Sequence, residues 1–344
     1  MQRVMPSLSR QVKRNISKPV EVEPENKGNF DIVISTGSTL LDLAISGKRI
    51  RGGGLPGGVF VEVSGPSQSG KTALLCEIAG AVNRKGGEFQ FYDPEARLDY
   101  EFASIFGMSI EPEKYFMPDT VTEVFKNVRA WEPKSKQKVN GVFADSLTAL
   151  STDLEMENED GDKMGGRRAK EFSEQLRKTC RIIKRDNLLM VCTNQLRQTM
   201  STYGAKWTQS CGEAIKFYSS IRLEVSKKAD ISKEVSFRGT KITQVIGIES
   251  EIYVSKTVGV PYTRAPLIII YGYGIDDVRA NLQYVKKYTG NTVFAINGKQ
   301  LSNILDTATR IVEQNGLESE LKEEVINLWE EIDTKFDINR KKAR

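Results

Sequence analysis

The sequence predicts an α/β fold: a mostly parallel, wound sheet flanked by helices, with a small α+β unit after it. Three observations carry this expectation. The alternating run Val59-Phe60-Val61-Glu62-Val63-Ser64 leads into Gly65-Pro66-Ser67-Gln68-Ser69-Gly70-Lys71-Thr72, and Ala73-Leu74-Leu75-Cys76-Glu77-Ile78-Ala79 continues with helical spacing. Strand, glycine-bounded loop and helix in that order are the setting of a phosphate-binding loop. Downstream, strand-like and helix-like segments alternate, as they do when helices form the crossovers of a parallel sheet. After Gly272-Tyr273-Gly274 the character changes to short helices and a hairpin pattern.

In chain order, residues 1–30 are read as a basic arm carrying Arg3, Arg10, Lys13, Arg14 and Lys18. Phe30-Asp31-Ile32-Val33-Ile34 is a short strand, Thr36-Gly37-Ser38 caps a helix, and the glycine-rich 52–58 is a flexible turn. Strand 89–93 precedes a short helix 98–106 stopped by Gly107, and a strand at Tyr115-Phe116-Met117 follows. Thr120 with Glu123 is a capping box for a helix that runs to Trp131. Gly141-Val142-Phe143-Ala144-Asp145 is a buried strand ending in a carboxylate. A polar loop over 152–164 leads to a helix from about 167 to 186. Its apolar stripe (Ala169, Phe172, Leu176, Cys180, Ile183) lies beside a face with Lys170, Ser173 and Arg177. Strand 188–193 ends at Asn194-Gln195, the aperiodic 197–212 follows, and strands at 221–225, 244–254 and 266–271 complete a core spanning 31–275. Residues 276–334 form the small C-terminal domain, with a hairpin at Val293-Phe294-Ala295-Ile296 before Asn297-Gly298, and 335–344 form a basic tail.

Composition narrows the chemistry. The 344 residues contain no histidine, and the four cysteines (Cys76, Cys180, Cys192, Cys211) make no C-x-x-C pair. A zinc site or disulfide framework is not expected, and catalysis must run on carboxylates, lysine, arginine, amides and a cation. The apolar run Pro266-Leu267-Ile268-Ile269-Ile270 is too short to span a bilayer. The basic N-terminus has no apolar segment behind it, so a cytoplasmic location is expected. A net charge of +5 permits a polyanionic partner.

The loop alone implies nucleotide binding. Its backbone N–H groups would wrap phosphates at a helix N-terminus, with Lys71 reaching the β/γ-phosphates and Thr72 meeting Mg²⁺. Asp145, at a strand end downstream, stands where a Walker-B carboxylate belongs and would help hold the Mg²⁺ through water. Glu95 is the candidate to orient an attacking water. Gln195 could hydrogen-bond a γ-phosphate without adding charge and so report its presence.

Taken in order, several stretches resemble the RecA-family strand-exchange recombinases. They are Ile34-Ser35-Thr36-Gly37-Ser38, Gly54-Leu55-Pro56-Gly57-Gly58, the phosphate loop, Asp93-Pro94-Glu95-Ala96-Arg97-Leu98-Asp99, Asp145-Ser146, Asn194-Gln195-Leu196-Arg197, Lys216-Phe217-Tyr218 with Arg222, and Tyr271-Gly272-Tyr273-Gly274-Ile275. The resemblance spans about 31–330 and implies a RecA-like ATPase core. It implies that filaments form on single-stranded DNA with ATP and Mg²⁺, and that homologous pairing follows.

It also implies roles. Glu95 activates water, and Gln195 senses the γ-phosphate. Asp99, Phe102, Tyr271 and Gly272 surround the adenosine. Residues 152–164, ending in Met164, and 197–212, ending in Gly212, are DNA-binding loops. Arg168, Lys170, Ser173 and Arg177 lie on the helix after the first. Tyr203 and Trp207 would insert at a base step, with Arg197 and Lys206 on phosphates. Lys216, Phe217 and Arg222 lie between protomers, and the strand at 30–33 is placed to add to a neighbour's sheet. Lys256 reaches a neighbour's ATP. Implied partners are single-stranded DNA, homologous duplex DNA, further copies of the chain, and single-strand-binding and loading proteins. The sequence departs from bacterial members in three ways: Val254-Ser255-Lys256-Thr257 has one lysine in place of two, the N-terminal segment has no long packing helix, and the tail is basic. These mark a divergent member of bacterial or phage type, acting in the host cytoplasm in the second case. The competing expectation is a RecA-like ring ATPase or helicase.

Overall fold

The computed structural model describes residues 29–157, 165–198, 207–209, 213–259, 263–337 and 340. The chain begins with β1 (Asn29–Ile34), α1 (Thr39–Ser46) and β2 (Leu55–Gly57), then enters β3 (Val59–Gly65) and α2 (Lys71–Arg84). β4 (Phe89–Tyr92), α3 (Tyr100–Ile105), β5 (Tyr115–Phe116), α4 (Val121–Ala130) and β6 (Asn140–Ala144) follow, and then α5 (Asp153–Glu157) and α6 (Gly165–Arg185). Next are β7 (Leu188–Gln198), β8 (Trp207–Gln209), α7 (Glu213–Tyr218), β9 (Ile221–Phe237), β10 (Thr240–Lys256), β11 (Thr263–Ile270) and β12 (Gly274–Ile275). The C-terminal unit holds α8 (Asp277–Thr289), β13 (Phe294–Ile296), β14 (Lys299–Ser302), α9 (Leu305–Gln314) and α10 (Glu318–Thr334).

The central sheet has the order β12-β11-β10-β9-β3-β7-β6-β4-β5, with β8 paired to β7. From β9 to β5 the neighbours are parallel, and from β9 to β12 they are antiparallel. Every residue of β3, β4 and β6 is buried, the mark of strands covered on both faces. Successive side chains point to opposite faces, so β3 feeds two apolar clusters. Val61 and Val63 pack with Leu74 and Leu75 of α2, while Phe60 packs with Leu176 of α6 and Ile215 of α7.

Four expectations needed revision. The segment at 52–58 contains a strand: β2 pairs antiparallel with β1 (Ile34 opposite Leu55), so one edge of β1 is taken within the chain. The polar loop expected over 152–164 begins with a helical turn, α5. Within the aperiodic 197–212 the described residues pair as strands: Arg197 and Gln198 of β7 lie antiparallel to Thr208 and Trp207 of β8. β9 and β10 run far beyond 221–225 and 244–254, because their pairing continues to Phe237 opposite Thr240. Beyond the core that ribbon is exposed on both faces, Val235, Phe237 and Ile242 included, so its alternation has no core behind it; backbone hydrogen bonds to its own partner strand and the cross-strand pair of Val235 with Ile242 define it.

The C-terminal unit shares the core's apolar cluster. Val278, Leu282, Val325 and Ile326 belong to the same buried set as Leu40 and Leu43 of α1. Polar contacts reinforce the join: Thr39 N and Oγ1 donate to Asp277 at 2.7 and 2.6 Å, and Lys48 pairs with Asp333 at 2.8 Å. Among the described residues no helix is long and apolar enough to cross a membrane.

Beside this join, Asp42 of α1 is buried and accepts from Ser35 Oγ, Thr36 N and Thr36 Oγ1 at 2.6, 2.8 and 2.7 Å. Burial outweighs these bonds and the field of Lys322, and raises the carboxyl from 3.8 to about 6. The folded state therefore holds a proton that the unfolded chain releases. Stability from this group is fullest below about pH 4 and falls as pH rises through 6. Urea unfolding from pH 4 to 7 should show the wild type losing roughly 2–3 kcal/mol relative to Asp42→Asn over that range. A constant gap between the two proteins would contradict the assignment.

Candidate nucleotide-binding site

The loop between β3 and α2 is held in shape by its glycines. Gly70 takes φ +95°, and a Cβ there would lie 2.4 Å from Ile269 Cδ1; at Gly65 it would lie 2.4 Å from the Val225 carbonyl. Ser69 Oγ donates to the Pro66 carbonyl at 2.9 Å, and Ser250 Oγ of β10 donates to the Ser69 carbonyl at 2.9 Å. Gly70 stands at the N-cap of α2 and no side chain caps that helix. Its first backbone N–H groups are left for an anionic ligand, with the helix dipole behind them.

Lys71 follows at the first helical position, and its Nζ donates to the Pro66 carbonyl at 2.7 Å. Burial lowers its pKa against the opposing fields of Asp145 and Glu95. Thr72 Oγ1 donates to Asp145 Oδ2 at 2.5 Å, and Thr193 Oγ1 of β7 donates to Asp145 Oδ1. Asp145 lies one residue past β6, so α2, β6 and β7 meet at this carboxylate.

Glu95 stands on a loop organised by Asp93, a role that the sequence reading missed. Asp93 is buried and accepts from Glu95 N at 3.2 Å, from Arg97 N and Leu98 N at 2.8 Å, and from the Tyr115 hydroxyl at 2.8 Å. An Asp before Pro at a strand end was the available signal, since such side chains close turns on the backbone that follows. The Glu95 carboxylate pairs with Arg97 at 2.7 Å. Gln195 Nε2, at the end of β7, donates to Ser67 Oγ of the phosphate loop at 2.5 Å.

These groups line one cavity of about 570 Å³, with Ser67, Gln68, Lys71 and Thr72 on one side and Glu95, Asp99, Phe102, Asp145 and Gln195 on the others. Asp99 caps α3 by accepting from Phe102 N at 3.1 Å. Pro66 and Ala73 belong to the loop and helix but do not line the cavity. Tyr271 and Gly272 also stand outside it, in the turn between β11 and β12. Lys256, at the end of β10, is two ladders from β3; its Nζ lies 3.5 Å from the Phe217 carbonyl.

The other expected residues divide three ways. Met164, Tyr203, Lys206 and Gly212 lie outside the described residues, and for Arg197 and Trp207 the backbone alone is described. Lys170 and Arg177 are exposed on α6 and Ser173 is half-buried, while Arg168 pairs with Glu155 of α5 at 3.0 Å. Phe217 is 75% exposed beside Lys216 on α7. Arg222 turns inward instead: its Nε donates to the buried Glu62 at 2.7 Å. The ladder sets this direction, since Arg222 lies opposite Glu62 on β3.

The residues present fit ATP with Mg²⁺. An uncapped helix end and a lysine without a carboxylate at hydrogen-bonding distance suit a phosphate chain, and a hydroxyl beside a carboxylate offers the hard oxygen donors of Mg²⁺. That ion uses one or two carboxylates together with substrate phosphates.

Comparison with known proteins places these features. The family model described as the RecA N-terminal domain matches residues 8–276. The Delftia acidovorans protein named Protein RecA is 31% identical over 302 residues, covering 85% of this chain and 78% of the relative. The Bordetella pertussis protein of the same name is 35% identical over 254 residues, covering 73% of this chain and 68% of the relative. With the family model covering most of the core and relatives at these identities, the chain belongs to the RecA family.

Proposed function

We propose that the protein is a recombinase that polymerises on single-stranded DNA with ATP and Mg²⁺, hydrolyses ATP in a DNA-dependent manner, and catalyses homologous pairing and strand exchange. The convergence of Lys71, the Thr72–Asp145 pair, Glu95 and Gln195 on one cavity carries this reading. β7 supports it further: the strand that bears Gln195 runs directly into the second loop assigned to DNA.

In the proposed reaction the phosphate loop holds the triphosphate and Lys71 turns from the Pro66 carbonyl to the β/γ-phosphates. Thr72 and Asp145 would hold Mg²⁺, which when bound supplies neutralisation of phosphate charge. Glu95 orients a water in line with the γ-phosphorus. The water oxygen bonds to phosphorus as the bond to the β–γ bridging oxygen breaks, and the water proton passes towards Glu95. Asp99 and Phe102 contact the nucleoside side. Gln195 leaves Ser67 for the γ-phosphate and returns after hydrolysis, which couples loop order to nucleotide state. Lys216 and Phe217 on the surface of α7, and Lys256 reaching a neighbour's nucleotide, would belong to the contact between protomers.

Lys71→Ala should abolish ATP-dependent filaments and strand exchange, read by electron microscopy and a pairing assay; normal rates would refute the site. Closed rings with and without DNA would favour a ring ATPase. Glu95→Gln should lower hydrolysis by about a hundredfold or more while filaments become long-lived, and rapid turnover in that variant would move the catalytic role elsewhere. Binding to single-stranded DNA should weaken steeply with salt, and Arg177→Ala should reduce the log–log slope by about 0.7. An unchanged slope would remove Arg177 from the phosphate contacts.

A further inference from the structure

Glu62 is a fully buried carboxylate on β3, three residues before the phosphate loop begins at Gly65. Strand alternation puts it on the face turned away from α2, where its neighbour in phase, Phe60, packs with Ile215 of α7. Oε1 accepts from Asn194 Nδ2 at 2.8 Å, and Oε2 accepts from Arg222 Nε at 2.7 Å. The ladder explains both contacts. Glu62 lies opposite Arg222 on β9, and Asn194 on β7 lies opposite Ser64, one step along the same face.

Asn194 and Gln195 are consecutive, so their side chains read opposite faces of the sheet. Gln195 meets Ser67 of the phosphate loop, whereas Asn194 is held beneath the sheet by Glu62. Asn194 Oδ1 is buried and finds no donor among the described residues, so Glu62 is the partner that orients this amide. A buried ion pair is often no better for stability than an apolar pair of the same volume, so what the Glu62–Arg222 pair adds is orientation of the groups around it.

We infer that Glu62 is a positioning residue for the phosphate-sensing strand end: it holds Asn194 on one face of the sheet so that Gln195 is aimed at the phosphate loop on the other, and through Arg222 it ties that aim to β9. This rests on the proposed function and names the residues that carry its coupling to DNA. A rotation of the β7 end that swings Gln195 off Ser67 swings Asn194 through the same backbone. That motion strains or breaks a hydrogen bond to a buried charge, one of the stronger kinds of hydrogen bond. The strand end therefore has two distinct settings. Arg222 also pairs in the ladder with Lys256 of β10, whose Nζ reaches the Phe217 carbonyl of α7. The buried carboxylate thus joins the sensing strand to the edge that bears α7.

ATP turnover by the full chain, with and without single-stranded DNA, tests this. Asn194→Ala leaves the Glu62–Arg222 pair intact, and it should lower the ratio of DNA-stimulated to basal kcat about tenfold while basal kcat and the KM for ATP stay within about twofold. Glu62→Leu should do the same, because Asn194 Nδ2 then has no acceptor. The exchanged pair Glu62→Gln with Asn194→Asp should keep the ratio to within about threefold of wild type. In it the new amide at 62 donates to the new carboxylate at 194 and still accepts from Arg222. An unchanged ratio in Asn194→Ala would overturn the inference, as would an exchanged pair that melts like wild type but couples no better than Asn194→Ala. If Glu62→Leu does not fold, Asn194→Ala alone decides. Wild-type protein whose ATPase ignores DNA would overturn the functional reading itself.

Discussion

Asp145 is the carboxylate on which the site depends. One oxygen accepts from Thr72 at the start of α2 and the other from Thr193 on β7, while the residue itself extends β6. Three elements brought together by different crossovers are thereby locked at the carboxyl edge of the sheet, where open α/β sheets place their ligands. The same charge, with Glu95, opposes the desolvation that lowers the Lys71 pKa. Without that field a half-buried lysine would hold its proton less firmly, and the phosphate loop would lose its fixed positive charge.

A chain without histidine relies on carboxylates as its buried acceptors, and the structure uses them repeatedly. Asp93 gathers three backbone N–H groups and a tyrosine hydroxyl, fixing the loop that presents Glu95. Asp42 gathers Ser35 and Thr36 at the approach to α1, and Asp277 anchors the C-terminal unit to Thr39. Burial raises the carboxyls of Asp42 and Asp277, whose partners are mostly neutral hydroxyls and amides. At these two positions desolvation outweighs the hydrogen bonds and the field of Lys322.

The two faces of the sheet divide the labour. The face towards α2 carries Val61, Val63, Thr193 and Gln195, and with them the contacts to Asp145 and to Ser67 of the phosphate loop. The opposite face carries Phe60, Glu62, Asn194 and Arg222 and packs against α6 and α7, the helices that border the loops assigned to DNA. A parallel ladder is stiff along its hydrogen bonds, so a displacement on one face is transmitted to the other through the strand that both share. β7 is that strand, because its Gln195 meets Ser67 of the phosphate loop while its Asn194 meets Glu62 on the other face.

Local pattern alone was enough for much of this protein. The phosphate loop, the strand-end Asp145, the apolar stripe of α6 and the capping box at Thr120 depend on neighbours within a few residues, and all stand where the sequence put them. What the tertiary structure decided involves partners far apart in the chain. Arg222, expected at a surface between protomers, is drawn inward by Glu62, 160 residues away. The glycine-rich 52–58 became strand because β1 was there to pair with it, and the C-terminal unit joined the core's apolar cluster through α1. The ribbon of β9 and β10 escaped notice because both its faces meet water, so the alternation of Val235 and Phe237 has no core behind it. Periodicity reports burial against a neighbour; it is silent on which distant group completes a hydrogen bond or an ion pair, and that choice was made by the register of the folded sheet.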